Sequence, residues 1–157
     1  MHTELHLRAE FLNALTHGVG ALLSLIGGVT LITMASLWGS KWQLISAIVF
    51  SLSLIGLYTS STLYHSTHEP KAKGRLQILD HCMIYVLIAG SYTPFTLIAM
   101  REDGGWLIFG ITWTLALIGI IFKLFYTGRF EVLSTLIYLG MGWLVIFAAG
   151  PMLRNVG

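Results

Sequence analysis

Long apolar runs separated by short polar joints dominate the pattern of this chain. Each run has about 20 residues, the length at which an α-helix crosses the hydrocarbon core of a bilayer. No run alternates polar and apolar residues with a period of two, so membrane-spanning strands are not predicted. The pattern predicts an all-α integral membrane protein, a bundle of five transmembrane helices at residues 15–37, 42–64, 78–100, 106–126 and 132–152.

The joints between these runs are short, and none has the composition of a linker. We therefore predict a single transmembrane domain over residues 1–157, with joints at 38–41, 66–77, 101–105 and 127–131. The first run is longer than the roughly 7–15 residues of a signal-peptide core, so it is predicted to remain as the first span.

Composition indicates the same class, because 55% of the residues are hydrophobic and only 10% are charged. Membrane lipids are the partners that such a chain implies. The formal net charge is only +2 and the basic residues are scattered, which argues against nucleic acid as a partner. The single cysteine, Cys82, excludes a disulfide within the chain and a C-x-x-C metal site.

The basic residues predict how the chain is oriented in the membrane. Positive residues accumulate in cytoplasmic loops, so the side with more of them is assigned to the cytoplasm. One side of the five-span layout holds Arg8, Lys71, Lys73, Arg75, Lys123 and Arg129, and the other holds Lys41, Arg101 and Arg154. We therefore predict a multi-pass protein of the plasma (inner) membrane, with a cytoplasmic N-terminus and a cytoplasmic joint at 66–77.

Polar side chains gather at that cytoplasmic edge. Ionisable groups set into otherwise apolar spans are costly, so they indicate a functional site by default. The candidates are Glu10, Asn13, His17, Ser61, His65, Asp80 and His81. Simpler interpretations remain open for several of them: interfacial polar groups at a helix start, a packing histidine, or a serine bonded to its own helix.

Helical spacing relates these candidates to one another. Glu10, Asn13 and His17 are three and four residues apart and should form a stripe on the first helix. Ser61 and His65 are one turn apart at the end of the second helix. His65 is the principal candidate of the group, because a serine precedes it by one turn and an aspartate follows across one joint.

Asp80 and His81 are adjacent in the sequence, so their side chains point about 100° apart around a helix. We expect Asp80 to face the centre of the site. A carboxylate there can accept from a metal-bound water or orient an imidazole, whereas His81 can equally face the headgroups.

Proline in the third span predicts a change in that helix. Pro94 lacks a backbone donor and crowds the carbonyl of Gly90 one turn earlier, so a bend is expected there. The hydroxyls of Ser91 and Thr93 are candidates to satisfy the freed groups.

Four motifs in order resemble a known family over the whole chain. They are Glu10-x-x-Asn13-x-x-x-His17-x-x-Gly20, Ser61-x-x-x-His65, Leu79-Asp80-His81, and the stretch from Gly90 to Phe95 that includes Pro94. Their order and spacing are similar to those of the hemolysin III proteins, the bacterial branch of the progestin and adipoQ receptor family. The resemblance implies a fold of seven spans and a zinc ion held near the cytoplasmic side by three histidines and a water.

Residue roles follow from this resemblance. It implies that His65 is one zinc ligand, that Asp80 bonds the metal-bound water, and that Ser61 lies one turn before the ligand. His17 and His81 are weaker candidates as ligands. The family's other two ligands come from a His-x-x-x-His in its seventh span. This chain ends at Gly157 after the fifth predicted span, so we expect a truncated member with an incomplete zinc site.

Three functions are compatible with such a site. Family members with ceramidase-like activity imply a zinc-dependent hydrolase of lipid amides, with Asp80 and Ser61 as the catalytic candidates. The alternatives are a cytolytic, pore-forming hemolysin and a non-enzymatic role in membrane homeostasis. A pore should carry a polar stripe across the bilayer, and the polar residues collect at one edge instead.

Overall fold

A computed structural model describes residues 2–126 and 131–146, with side chains from 4 to 126 and from 132 to 146. The described chain is helical, and no strand occurs within it. Its five α-helices are α1 (His2–Trp38), α2 (Lys41–Ser66), α3 (Pro70–Pro94), α4 (Trp106–Tyr126) and α5 (Glu131–Trp143). Two short π-helical segments, Phe95–Ala99 and Arg101–Gly105, lie between α3 and α4.

Four of these helical segments are long and apolar enough to cross a membrane. The predicted fourth span coincides with α4, and the second differs from α2 by one or two residues at each end. The fifth prediction is tested only in part, because α5 is described as a shorter apolar helix and residues 147–152 lie outside the described residues. These helices confirm an all-α membrane protein.

Helix α1 begins well before the predicted first span. Its 37 residues make it about 55 Å long, whereas a hydrocarbon core is about 30 Å thick. The polar N-terminal segment is therefore a helical extension of the first span. About two turns of α1, from Leu7 to Ala14, lie next to the end of α2.

The predicted joint at 66–77 is wrong, because most of it is the start of α3. Only residues 67–69 lie between α2 and α3. Glu69 caps the new helix: its carboxylate accepts from the backbone N–H groups of Lys71 at 3.0 Å and Ala72 at 2.6 Å. Pro70 occupies the first turn, where a missing N–H costs nothing. The basic residues of this region thus project from a helix rather than from a flexible loop.

The helix type changes at Pro94, while the bend expected there stays a prediction. The α-helical ladder ends there and continues as a π-helix in which Met100 N donates to Phe95 O. The expectation that the hydroxyls of Ser91 and Thr93 satisfy the groups freed by the proline was wrong, however. Ser91 and Thr93 donate to the carbonyls of Leu87 and Ala89 one turn back, not to the carbonyl of Gly90.

Buried and exposed residues are distributed as a bilayer requires. Large apolar side chains cover the outside of the helices, while small and hydroxylated residues lie between them. Ser51 of α2 closely approaches Gly28 of α1, and Ser53 of α2 closely approaches Gly90 of α3. Small residues at helix contacts let backbones approach closely, which is the usual way helices associate in lipid.

Candidate functional site

Two side-chain contacts join the start of α1 to the end of α2. The Glu10 carboxylate lies 3.3 Å from His65 Nδ1, and His17 Nδ1 lies 2.6 Å from Ser61 Oγ. Glu10 and His17 are seven residues apart, about two turns, so they share one side of α1. Because α1 and α2 run antiparallel, Glu10, the earlier residue of α1, meets His65, the later residue of α2. His17 then meets Ser61. Four of the predicted site residues are therefore brought together.

The two histidines of this group are also neighbours. Their ring centroids lie 5.6 Å apart with an interplanar angle of 74°, and His17 makes a similar edge contact with Tyr58. Ser61 is buried between the helices, while His17 and His65 are half-buried. The imidazoles are thus held in a confined space at the end of the bundle.

Lys73 adds a third helix to the contact. Its ammonium donates to the Glu10 carboxylate at 2.5 Å, on the same oxygen that faces His65. It also donates to the backbone carbonyls of Tyr64 and Thr67, both at 3.4 Å, and stands 4.7 Å from the centroid of the Tyr64 ring. A cation at a helix C-terminus is favoured by the helix dipole. Lys73 therefore ties α1, the end of α2 and the start of α3 to one point.

This polar cluster, which comprises Glu10, His17, Ser61, His65 and Lys73, is largely shielded from solvent. The side chains of Glu10, His65 and Lys73 are 14%, 15% and 26% exposed. Ion pairs at such positions interact more strongly than exposed pairs, because less water screens them. The opposite signs of Glu10 and Lys73 compensate each other's desolvation.

Asn13 does not join the cluster. It is exposed, since its position is turned about 60° around α1 from that of Glu10. Of the three residues in the predicted stripe, Glu10 and His17 contact α2 and the exposed Asn13 does not.

Asp80 and His81 lie on the third and fourth turns of α3, and both are half-buried. Among the described residues, the Asp80 side chain makes no hydrogen bond or ion pair, whereas the backbone carbonyl of His81 accepts from the Tyr138 hydroxyl at 3.4 Å. The inward orientation of Asp80 toward a reacting centre stays a prediction.

Zinc in proteins is held by three or four side chains. Within residues 4–126 and 132–146, no three His, Cys, Asp or Glu side chains are arranged to hold a metal ion. His65 nevertheless has the surroundings of a single ligand, because metal-bound histidines almost always give their other ring nitrogen to a carboxylate, carbonyl or water. The described residues therefore fit one zinc ligand rather than a complete site.

One His-x-x-x-His does occur in the sequence, from His2 to His6, ahead of the first span. The His6 side chain is 70% exposed, and its Nε2 lies 4.0 Å from Glu10 Oε1. An expectation that the sequence holds no His-x-x-x-His is therefore wrong, although this one precedes the first span and is not the seventh-span motif of the resembled family.

A pocket of about 540 Å³ opens beside His65. The α1 side of the pocket is apolar, and His65, Ser66 and His68 form the other side. Its lining consists of Leu7, Phe11, Ala14, Leu15, His65, Ser66 and His68. An apolar chain lying in this pocket would come next to the imidazole of His65.

Lys73 was missed as a site residue, because the sequence reading placed it in a loop and used it only to assign orientation. The cap formed by Glu69 and Pro70 was the signal that could have found it. With α3 starting at Pro70, Lys73 lies in the first turn of a helix, a few residues after the end of α2.

Comparison with known proteins agrees with the motifs. The family model described as "Haemolysin-III related" matches residues 5–157. The chain is 49% identical to the Hemolysin-3 homolog of Bacillus subtilis (strain 168) over 96% of its own length and 70% of that protein. It is 48% identical to Hemolysin-3 of Bacillus cereus over 95% of its length and 68% of that protein.

A more distant similarity extends to animals. The chain is 27% identical to the human monocyte to macrophage differentiation factor, over 83% of its length and 56% of that protein. No solved structure matches the chain. The family model covers nearly the whole chain and the two bacterial relatives share almost half of their aligned residues with it, so the chain belongs to the haemolysin-III related family.

Proposed function

We propose that this chain is part of a zinc-dependent membrane hydrolase of lipid amides, to which it contributes His65 as one metal ligand. The observation that carries the proposal is the contact between His65 Nδ1 and the Glu10 carboxylate. A carboxylate on one ring nitrogen is the usual arrangement of a histidine whose other nitrogen binds a metal. Ser61, one turn before His65, stands in the position that the family motif requires.

The residues of the chain have distinct roles in this proposal. Zinc, when bound, lowers the pKa of its water to about 7 and so provides a nucleophile for an amide carbonyl. Asp80 would be the acceptor for a proton of that water. Ser61 lies near the reacting centre, and its hydroxyl is held by His17 at 2.6 Å. His17 and His81 are the residues that could substitute as ligands where others are lacking.

The substrate class is supported by the pocket beside His65 and by the outer surface of the bundle. Leu7, Phe11 and Leu15 line the α1 side of the pocket. Exposed leucines and isoleucines continue along α1. A lipid arriving laterally from the membrane could place its chain there and its amide beside the imidazole.

The second candidate is cytolytic activity, which the names of the bacterial relatives favour. A pore requires polar side chains along its whole length. Among the described residues, the ion pairs between helices lie in the polar cluster, whereas the interhelical hydrogen bonds of Tyr92 and Trp113 farther along the bundle are made by neutral groups. The hydrolytic proposal is therefore preferred.

The proposed location is the plasma (inner) membrane, with the N-terminus in the cytoplasm. Lys71 near the polar cluster and Glu102 at the opposite end are exposed and suit labelling. With Cys82 replaced by serine, a cysteine at position 102 should react with a membrane-impermeant reagent outside intact cells. A cysteine at position 71 should react only after lysis. The reverse result would overturn the orientation.

The zinc proposal is tested by metal analysis of the purified protein. A form that carries the two further spans expected of the family should hold stoichiometric zinc, and His65→Ala should lose it. The 157-residue chain should bind zinc weakly. Stoichiometric zinc that survives His65→Ala would refute the ligand assignment.

A further inference from the structure

The Glu10 carboxylate receives two donors from two different helices. Its Oε2 lies 2.5 Å from Lys73 Nζ on α3 and 3.3 Å from His65 Nδ1 on α2. Lys73 is itself fixed by the carbonyls of Tyr64 and Thr67. The carboxylate oxygen that faces His65 is therefore held by a lysine that cannot move without breaking contacts to the end of α2.

The chemistry of the two groups determines which nitrogen of His65 carries a proton. A carboxylate can only accept hydrogen bonds, so a neutral His65 must donate from Nδ1. A neutral imidazole has one proton, and Nε2 is then left with a free lone pair. A metal binds an imidazole through such an unprotonated nitrogen.

We propose that Glu10, held in place by Lys73, is a positioning residue that keeps His65 in the Nδ1–H tautomer and leaves Nε2 as the ligand nitrogen. The metal part of this inference rests on the function proposed above. The tautomer itself follows from the contacts of this chain and can be measured without metal. Lys73 acts through Glu10 and need not contact the metal.

A purely structural tie between α1, α2 and α3 would also use these contacts. A structural tie through the same contact would give the same tautomer, because the carboxylate can only accept. The difference is that positioning of a ligand also predicts weaker zinc binding once Glu10 is removed. The exposed His68 provides an internal reference, because it lies three residues after His65 and outside the cluster.

The test is nitrogen NMR of the metal-free protein labelled with ¹⁵N-histidine, in lipid nanodiscs at pH 8, where an imidazole is ordinarily neutral. His65→Gln assigns the His65 signals. We expect the wild-type signals of His65 to show a protonated Nδ1 and an unprotonated Nε2. Protonation at Nε2 with a bare Nδ1 would overturn the proposal, and this outcome needs no variant to fold.

Variants then locate the cause. Glu10→Ala removes the acceptor and Lys73→Met removes the ammonium that holds it, and each should turn the single tautomer into a mixture. Lys71→Ala is the matched control, an exposed lysine on the same turn of α3 whose side chain lies outside the cluster. It should leave the signals unchanged. A His65 tautomer that stays the same in both Glu10→Ala and Lys73→Met would refute positioning.

The zinc-binding form separates this inference from the proposed function. There, Glu10→Ala should weaken zinc binding about 10-fold to 100-fold, the usual effect of removing the partner of a ligating histidine. Absence of zinc from the wild-type form, together with the Nδ1–H tautomer, would refute the zinc proposal and leave the positioning of His65 intact. Zinc bound with unchanged affinity in Glu10→Ala would refute the positioning alone.

Discussion

The two ends of the bundle treat their polar groups in opposite ways. In the polar cluster, every principal contact joins residues far apart in the sequence, such as Glu10 with Lys73 and His17 with Ser61. At the far end, formed by residues 38–43 and 100–106, the hydrogen bonds of Ser40, Gln43 and Arg101 are local, although the Arg101 guanidinium also lies 5.6 Å from the centroid of the Trp42 ring on α2. Ser40 and Gln43 cap α2 reciprocally, and Arg101 pairs with its neighbour Glu102.

Local contacts complete helix ends, whereas long-range contacts place particular atoms next to each other. Ser40 satisfies a backbone N–H that any helix start leaves free. The Glu10 carboxylate instead joins two side chains from two other helices. The far end is therefore built to turn the chain, and the polar cluster is built to hold a defined chemical arrangement.

The largest expected effect comes from the backbone of the far end. A Cβ at Gly105 would collide with the carbonyl oxygens of Thr96 and Met100, which are backbone atoms and cannot rotate away. Gly105→Ala should lower the free energy of unfolding in mixed detergent micelles by about 3 kcal/mol. Gly110→Ala is the control, since nothing lies within 4 Å of its Cβ position and alanine favours the helix. Equal stabilities of the two variants would contradict the close approach.

A smaller loss is expected from the ion pair of the polar cluster. Glu10→Ala leaves Lys73 and His65 without their shared acceptor and should cost about 2 kcal/mol, measured in the same way. Glu102→Ala removes the matching carboxylate of the far end. Its side chain is 85% exposed, so the cost should stay below about 0.5 kcal/mol. Similar losses of unfolding free energy for Glu10→Ala and Glu102→Ala would show that the ion pair of the polar cluster is no more stabilising than the exposed pair at the far end.

The smallest expected difference in unfolding free energy is between alanine variants of two adjacent serines, Ser60 and Ser61. Ser61 bonds His17 on another helix, while Ser60 donates to Leu57 O on its own helix at 2.9 Å. Ser61→Ala should therefore cost about 1 kcal/mol, and Ser60→Ala should stay within about 0.5 kcal/mol. Both hydroxyls are buried, so burial does not distinguish them. A larger loss for Ser60→Ala would show that the contact between α1 and α2 is not stabilising.

Much of the fold could be predicted from hydrophobic patterning, because lipid imposes a fixed span length. Helix α4 begins and ends where its apolar run does. Errors arose where polar residues continue a helix beyond the membrane, as at the start of α1 and of α3. There the cap of Glu69 and the interhelical contacts of Glu10 favour helix, and hydropathy carries no information about either.

The sequence could indicate Glu10, His17, Ser61 and His65 as candidates, but it could not predict which of these side chains contact each other. Spacing along α1 placed Glu10 and His17 on one side, yet it could not show which residue of α2 each would meet. That choice depends on how far α1 and α2 are shifted along each other, which packing such as Gly28 against Ser51 determines. Lys73 could not be found from spacing, since its contacts depend on a connection of only three residues between α2 and α3.

That short connection also affects the order in which the protein is made. Every member of the polar cluster lies within the first 73 of 157 residues, and the short connection brings Lys73 to the end of α2 as soon as α3 begins. Chains are synthesised at about 5–20 residues per second and fold from the N-terminal side. The nascent chain thus has all the residues needed to pair Glu10, His65 and Lys73 several seconds before α4 and α5 are complete. The arrangement around His65 can serve as an early assembly point onto which the later helices are added.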